Sequence, residues 1–170
     1  MPKHPIDKLR QEHANMRRVL MLLRMQLDLL EQRSTPDYVL MVNALYYMRK
    51  FPSVVHHPKE DLIFQKLLEA GAPLWQEVER LRQQHQDIYA LEDWLIELAL
   101  EVQAGKRAHA AKLLELGRHY LDSQAKHVET EERILFPQAL KRLKLRDWKA
   151  VRDRSELSTA TSVSEIRGKL

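Results

Sequence analysis

Residues 56–60 read HHPKE and residues 127–131 read HVETE. Each stretch sets a histidine four residues before a glutamate, which on a helix puts both side chains on one face. Each also sits inside a stripe that is otherwise apolar at helical spacing. One runs Val42, Leu45, Met48, His56, Glu60, Ile63, Leu67; the other runs Leu113, Leu116, Tyr120, His127, Glu131, Ile134. A core-facing stripe does not carry such groups without a partner, because an unsatisfied polar side chain is costly to bury.

Lone histidines break two further stripes. Ile6, Leu9, His13, Met16, Leu20, Leu23, Leu27 and Leu30 form the first, and Val78, Leu81, His85, Ile88, Leu91 and Leu95 the second. The surrounding segments DKLRQEHANM (7–16) and ERLRQQHQDI (79–88) are alike. His85 follows His13 by 72 residues, and His127 and Glu131 follow His56 and Glu60 by 71. The chain therefore reads as two copies of a helical hairpin, each with one lone histidine and one His-x3-Glu pair.

Local punctuation predicts helices over about 5–33, 37–70, 74–104 and 107–140. The segment STPD offers Thr35 as an N-cap with Pro36 at the first helical position. Gly71 suits a C′ position, Pro73 opens the third helix, and Pro137 kinks the fourth. A short basic helix near 146–154 and the polar tail SELSTATSVSEIRGKL follow. Four long helices with short loops predict an all-α, up-down-up-down four-helix bundle over 1–140, with a basic extension over 141–170. In that topology His13 lies ~12 Å and Glu60 ~15 Å from the same end, at ~1.5 Å per residue. His13, His56, Glu60, His85, His127 and Glu131 then meet at one level of the core.

Metal ions answer the cost of burying such a set. Imidazole and carboxylate donors suit iron, manganese or zinc, and two shared carboxylates suit a pair of ions. Binding needs neutral imidazoles, so affinity is expected to fall below pH ~6.5. His57 and Asp61 share the four-residue spacing. The repeat aligns His127 with His56, which leaves His57 and Asp61 behind the donors or toward solvent. His4, His109 and His119 break no stripe and are assigned to the surface.

The composition narrows the alternatives. With no cysteine in 170 residues, disulfides, thiolate metal sites and thiol chemistry are excluded. No apolar run approaches membrane-spanning length and the N-terminus lacks a signal core, so the protein is expected to be cytoplasmic. The net charge of +4 is mild. The segment KRLKLRDWKAVRDR reads as a solvated helix end rather than a nucleic-acid surface, and 141–170 is where a protein partner would bind.

The order His, His-x3-Glu, His, His-x3-Glu, with HHPKED and HVETEERILFP around the pairs, resembles the hemerythrin-like (HHE cation-binding) domain over about residues 5–140. The resemblance implies a non-haem di-iron centre bridged by two carboxylates and an oxo or hydroxo group. His13, His56, Glu60, His85, His127 and Glu131 would be its ligands. It also implies an open iron position for O2, NO or peroxide, in a sensor or buffer, a di-iron oxidoreductase, or a metal-stabilised interaction module. Oxygen carriers of the family add a histidine four residues after the third and end in His-x4-Asp. Here those positions give Tyr89 and a His-x3-Glu pair, with Glu132 at the longer spacing. Tyr89, one turn past His85, is expected either to reach a bound ligand or to be a core tyrosine. The Glu-x-x-His motif of ferritin-like proteins is absent, since Arg10, Ser53, Arg82 and Gln124 precede the four histidines by three.

Overall fold

The computed structural model describes residues 4–153, and its helix ends follow from local chemistry. Helix α1 spans Pro5–Glu31, where His4 Nδ1 accepts the Ile6 N–H at 3.3 Å and Pro5 opens the first turn. Helix α2 spans Tyr38–Phe51 and is capped by Asp37, not Thr35 as expected. Asp37 Oδ1 accepts the Leu40 N–H at 2.9 Å, and a carboxylate also suits the positive end of a helix. The Asp37 N–H is anchored by the buried Gln26 side chain at 2.7 Å, which holds the cap two residues later than the proline suggested. Helices α3 (His57–Glu69), α4 (Trp75–Gln103), α5 (Ala110–Thr130) and α6 (Phe136–Arg142) follow, and residues 145–153 are helical. Gly71, at φ +73°, ends α3 as expected of a C′ glycine.

Two π-helical turns join these pieces into longer arms. Pro52–His56 links α2 to α3, and Glu131–Leu135 links α5 to α6. The His57 N–H reaches back five residues to Pro52, and the Phe136 N–H to Glu131. In both cases the donor precedes a proline, Pro58 or Pro137, whose ring has no N–H to give and crowds the turn before it. Each wide turn advances the inward stripe by one residue. Ile134, expected in the core, is consequently 42% exposed, and Leu135 and Phe136 are buried in its place.

α1 packs on α2 and α5, and α4 packs on the same two, so the arms close into an all-helical bundle with each arm beside its sequence neighbours. No strand occurs among the described residues. The core is in two blocks. One holds Met16, Leu23, Leu27, Met41, Leu45, Met48, Ile88, Leu95 and Tyr120. The other holds Ile6, Leu9, Ile63, Phe64, Leu67, Val78, Leu81, Leu135 and Phe136. Trp148 and Val151 are buried in this second block, so residues 145–153 pack into the bundle, with the His4 ring edge-on to Trp148 at 4.4 Å. The polar tail lies outside the described residues. Between the blocks, every arm contributes polar residues.

α1 and α5 approach each other closely at Gly117. A Cβ there would sit 2.8 Å from both methyls of the fully buried Leu27. Gly117→Val should therefore cost about 1–3 kcal/mol through overpacking. Thermal melts would show a midpoint several degrees lower, and an unchanged midpoint would refute the tight approach.

Candidate metal centre

The polar layer collects residues from all four arms. His13 comes from α1, His56 from the first π turn, Glu60 and His57 from α3, His85 from α4, His127 from α5, and Glu131 from the second π turn. All seven are buried, with Glu60 and Glu131 at 0% exposure. The six residues expected to converge do so, and a seventh, His57, joins them.

Two overlapping donor groups result. In the first, potential donor atoms of His13, His56, Glu60 and Glu131 lie within 4.8 Å of one another. His56 Nε2 is 3.0 Å from Glu60 Oε1, His13 Nε2 is 3.3 Å from Glu131 Oε2, and the two Nε2 atoms are 2.9 Å apart. The second group holds His57, His85 and His127 within the same distance. Here His85 Nε2 and His127 Nε2 are 3.0 Å apart, and the His57 and His85 rings stack at 3.6 Å. Glu131 spans both groups, with Oε2 toward His13 and Oε1 3.2 Å from His127 Nε2.

The carboxylates test whether a metal fits. None of the four oxygens of Glu60 and Glu131 receives a hydrogen bond, although all are buried. Buried carboxylates without donors are sustained by positive charge, and the groups that face them at 3.0–3.3 Å are the ring nitrogens of His13, His56 and His127. Acidic oxygens interleaved with imidazoles match the donor preference of iron, manganese or zinc.

The charge balance shows the same demand. Burial alone would lower the His13 pKa, but the carboxylates of Glu131 and Glu60 outweigh it and push His13 up to about 10. His56 is likewise raised to about 9, against burial, by Glu60 and Glu12. Glu131 is held well below the usual carboxylate range, with burial overcome by His127 and His13. On the other side, burial and the neighbouring His127 pull His85 down to about 4, and His57 is held well below the ordinary histidine value by burial and by His85. His127 is raised too, against burial, by Glu131, so without a metal protonated imidazole supplies the positive charge that the carboxylates need, with the His13 and His56 Nε2 atoms 2.9 Å apart and room for one proton between them.

The nitrogens that face away from the centre are held too. His13 Nδ1 donates to Glu132 Oε1 at 2.9 Å, and His56 Nδ1 to Glu12 Oε2 at 2.9 Å. His127 Nδ1 donates to Gln84 Oε1 at 3.1 Å. His57 Nδ1 meets the Tyr89 hydroxyl at 2.5 Å, which leaves its Nε2 for the centre. Glu132 thus backs His13, and Glu131 is the residue inside the layer. Such partners orient an imidazole and fix its tautomer.

His57 departs from the sequence expectation, since it is 7% exposed and points into the second group rather than toward solvent. Successive residues on an α-helix diverge by about 100°, which argues against two adjacent histidines facing one core. The π turn ending at His56 relaxes that rule. Its sequence trace is the eight-residue step from Met48 to His56, one longer than two ordinary turns. Asp61 stays outside, half-buried and 3.6 Å from Arg82. Tyr89 is neither an idle core residue nor free for a ligand, because its hydroxyl holds His57 and the Arg49 guanidinium lies 4.8 Å from its ring centre. His109 and His119 are peripheral, whereas His4 caps α1. Further along the bundle, Glu92 is fully buried, accepts from the Tyr120 hydroxyl at 2.7 Å, and is pushed up to about 7 by burial.

A family model described as the hemerythrin HHE cation binding domain matches residues 4–139. No curated protein matches the chain.

The raised imidazoles correct the simple pH expectation. At pH 7 a metal must displace protons from the raised imidazoles, so titration in buffers of different ionisation enthalpy should report net proton release on loading. Affinity should climb from pH 7 toward 9 rather than level off above 6.5. The metal-free protein should behave oppositely. The stability contributed by these raised groups is fully present below about pH 6.5, the ordinary histidine value, and is lost as pH rises through 9 to 10. Metal-free melting midpoints should fall across that window. A pH-independent affinity would refute the arrangement.

Proposed function

Because the chain belongs to the hemerythrin HHE cation-binding family, we propose that it is a cytoplasmic di-iron protein that binds O2, NO or peroxide. The observation that carries this reading is the pair of fully buried carboxylates, Glu60 and Glu131, facing the imidazoles of His13, His56, His85 and His127 with no hydrogen bond received by their oxygens. One ion would be held by His13, His56 and Glu60 and the other by His57, His85 and His127, with Glu131 reaching both.

The donors balance at four on each side, His13, His56, Glu60 and Glu131 Oε2 against His57, His85, His127 and Glu131 Oε1, so an exogenous ligand would find room at either ion. Iron bound there would supply a coordination position and reversible electron exchange. The chain's residues supply the surroundings. Phe136 stacks on the His13 ring at 5.7 Å and 8°, and apolar blocks pack above and below the layer. Among groups buried this deeply, charge interactions are strong. No helix among the described residues is long and apolar enough to cross a membrane.

Elemental analysis of iron-loaded protein should find about two irons per chain, and NO or O2 should change its visible spectrum saturably without sustained consumption of peroxide. Sustained turnover would move the protein to the di-iron oxidoreductases, and loading of no more than one iron would overturn the di-iron reading. Substituting His57→Gln should drop iron content toward about one per chain. The same change at the exposed His119 should leave it intact.

A further inference from the structure

The imidazoles on the two sides of the layer are backed by different chemistry. On one side, both backing groups are carboxylates: Glu132 behind His13 and Glu12 behind His56. Each is itself fixed by a cation. Arg17 Nη2 donates to Glu132 Oε1 at 2.7 Å, and the buried Lys59 Nζ donates to Glu12 Oε1 at 2.5 Å. On the other side the backing groups are neutral, the amide of Gln84 behind His127 and the phenol of Tyr89 behind His57.

An imidazole that donates its N–H to a carboxylate becomes a more basic, more electron-rich ligand than one donating to an amide or a phenol. The inner donors tilt in the same direction. Glu60 Oε1 and Glu131 Oε2 both lie against His13 and His56, whereas the other side has three imidazoles and Glu131 Oε1 alone. Harder, more anionic surroundings favour the ion of higher charge.

Resting on the di-iron reading, we infer that the two positions are unequal in valence preference. The His13 and His56 position takes the more oxidised iron and the His57, His85 and His127 position the more reduced one. Glu12 and Glu132 are the positioning residues that set the difference, and Lys59 and Arg17 temper them by sharing each carboxylate's charge.

Adding one electron from dithionite to the diferric protein converts one Fe(III) to Fe(II). Mössbauer and electron paramagnetic resonance spectra of that form should show trapped valences, one of each. Glu132→Gln keeps the shape of the side chain and removes its charge. It should favour reduction about tenfold, which is ~59 mV for a one-electron step, and perturb the ferric signal more than the ferrous one. Arg17→Met should shift the potential the opposite way, because it leaves Glu132 untempered. Arg17 is half exposed and Glu132 about a quarter, so both variants should fold. Gln84→Glu should shrink the inequality.

Equal sharing of the electron, or a larger effect of Glu132→Gln on the ferrous ion, would overturn the inference. So would shifts of the same sign from Glu132→Gln and Arg17→Met, since that is what a loss of packing alone produces. Failure to load two irons, which elemental analysis reports first, would remove the di-iron reading and the inference with it.

Discussion

Two carboxylates stand at zero exposure in the middle of a helical bundle, and their oxygens receive no hydrogen bond. That is the constraint around which the other features are organised. An ionised carboxyl in such a place costs several kcal/mol unless it is compensated. The surrounding imidazoles compensate it, either by carrying protons or by presenting lone pairs to a cation. Each imidazole in turn needs its outer nitrogen satisfied, so the polar layer extends to Glu12, Glu132, Gln84 and Tyr89, and beyond them to Lys59 and Arg17. Polar satisfaction propagates outward from Glu60 and Glu131 until it reaches solvent.

Much of this was legible in the sequence because helical periodicity and a duplicated pattern reinforce each other. A histidine breaking one apolar stripe says little. The same break recurring after 71 or 72 residues places His13 with His85 and His56 with His127, and the inward stripes then carry all six residues to one level. What periodicity could not see were departures from the 3.6-residue turn. The π turns moved Ile134 out of the core, brought Leu135 and Phe136 in, and turned His57 inward beside His56. Cap choice was equally opaque, since Asp37 wins over Thr35 through a contact with Gln26, which is distant in sequence. The backing residues were hidden for a simpler reason. Glu12, Gln84 and Glu132 adjoin the stripes, and a polar residue on a helix flank is the ordinary case.

The two halves of the layer are related by the repeat but are not copies of one another. The π turn precedes the histidine in the first hairpin, at Pro52–His56, and begins on the glutamate in the second, at Glu131–Leu135. That shift in where the helix widens gives one hairpin an inward pair, His56 and His57, and gives the other Glu131 inside with Glu132 behind His13. Duplicated sequence thus produces a lopsided site. Three imidazoles gather on one side, while two imidazoles and most of the anionic charge gather on the other.

The division of the core into two apolar blocks has a mechanical consequence. Hydrophobic burial glues each end of the bundle together separately, but no continuous apolar packing runs from one end to the other through the layer. The four arms run through both blocks, so the contacts made within the layer are the ones that tie the two apolar clusters to each other across the bundle's width.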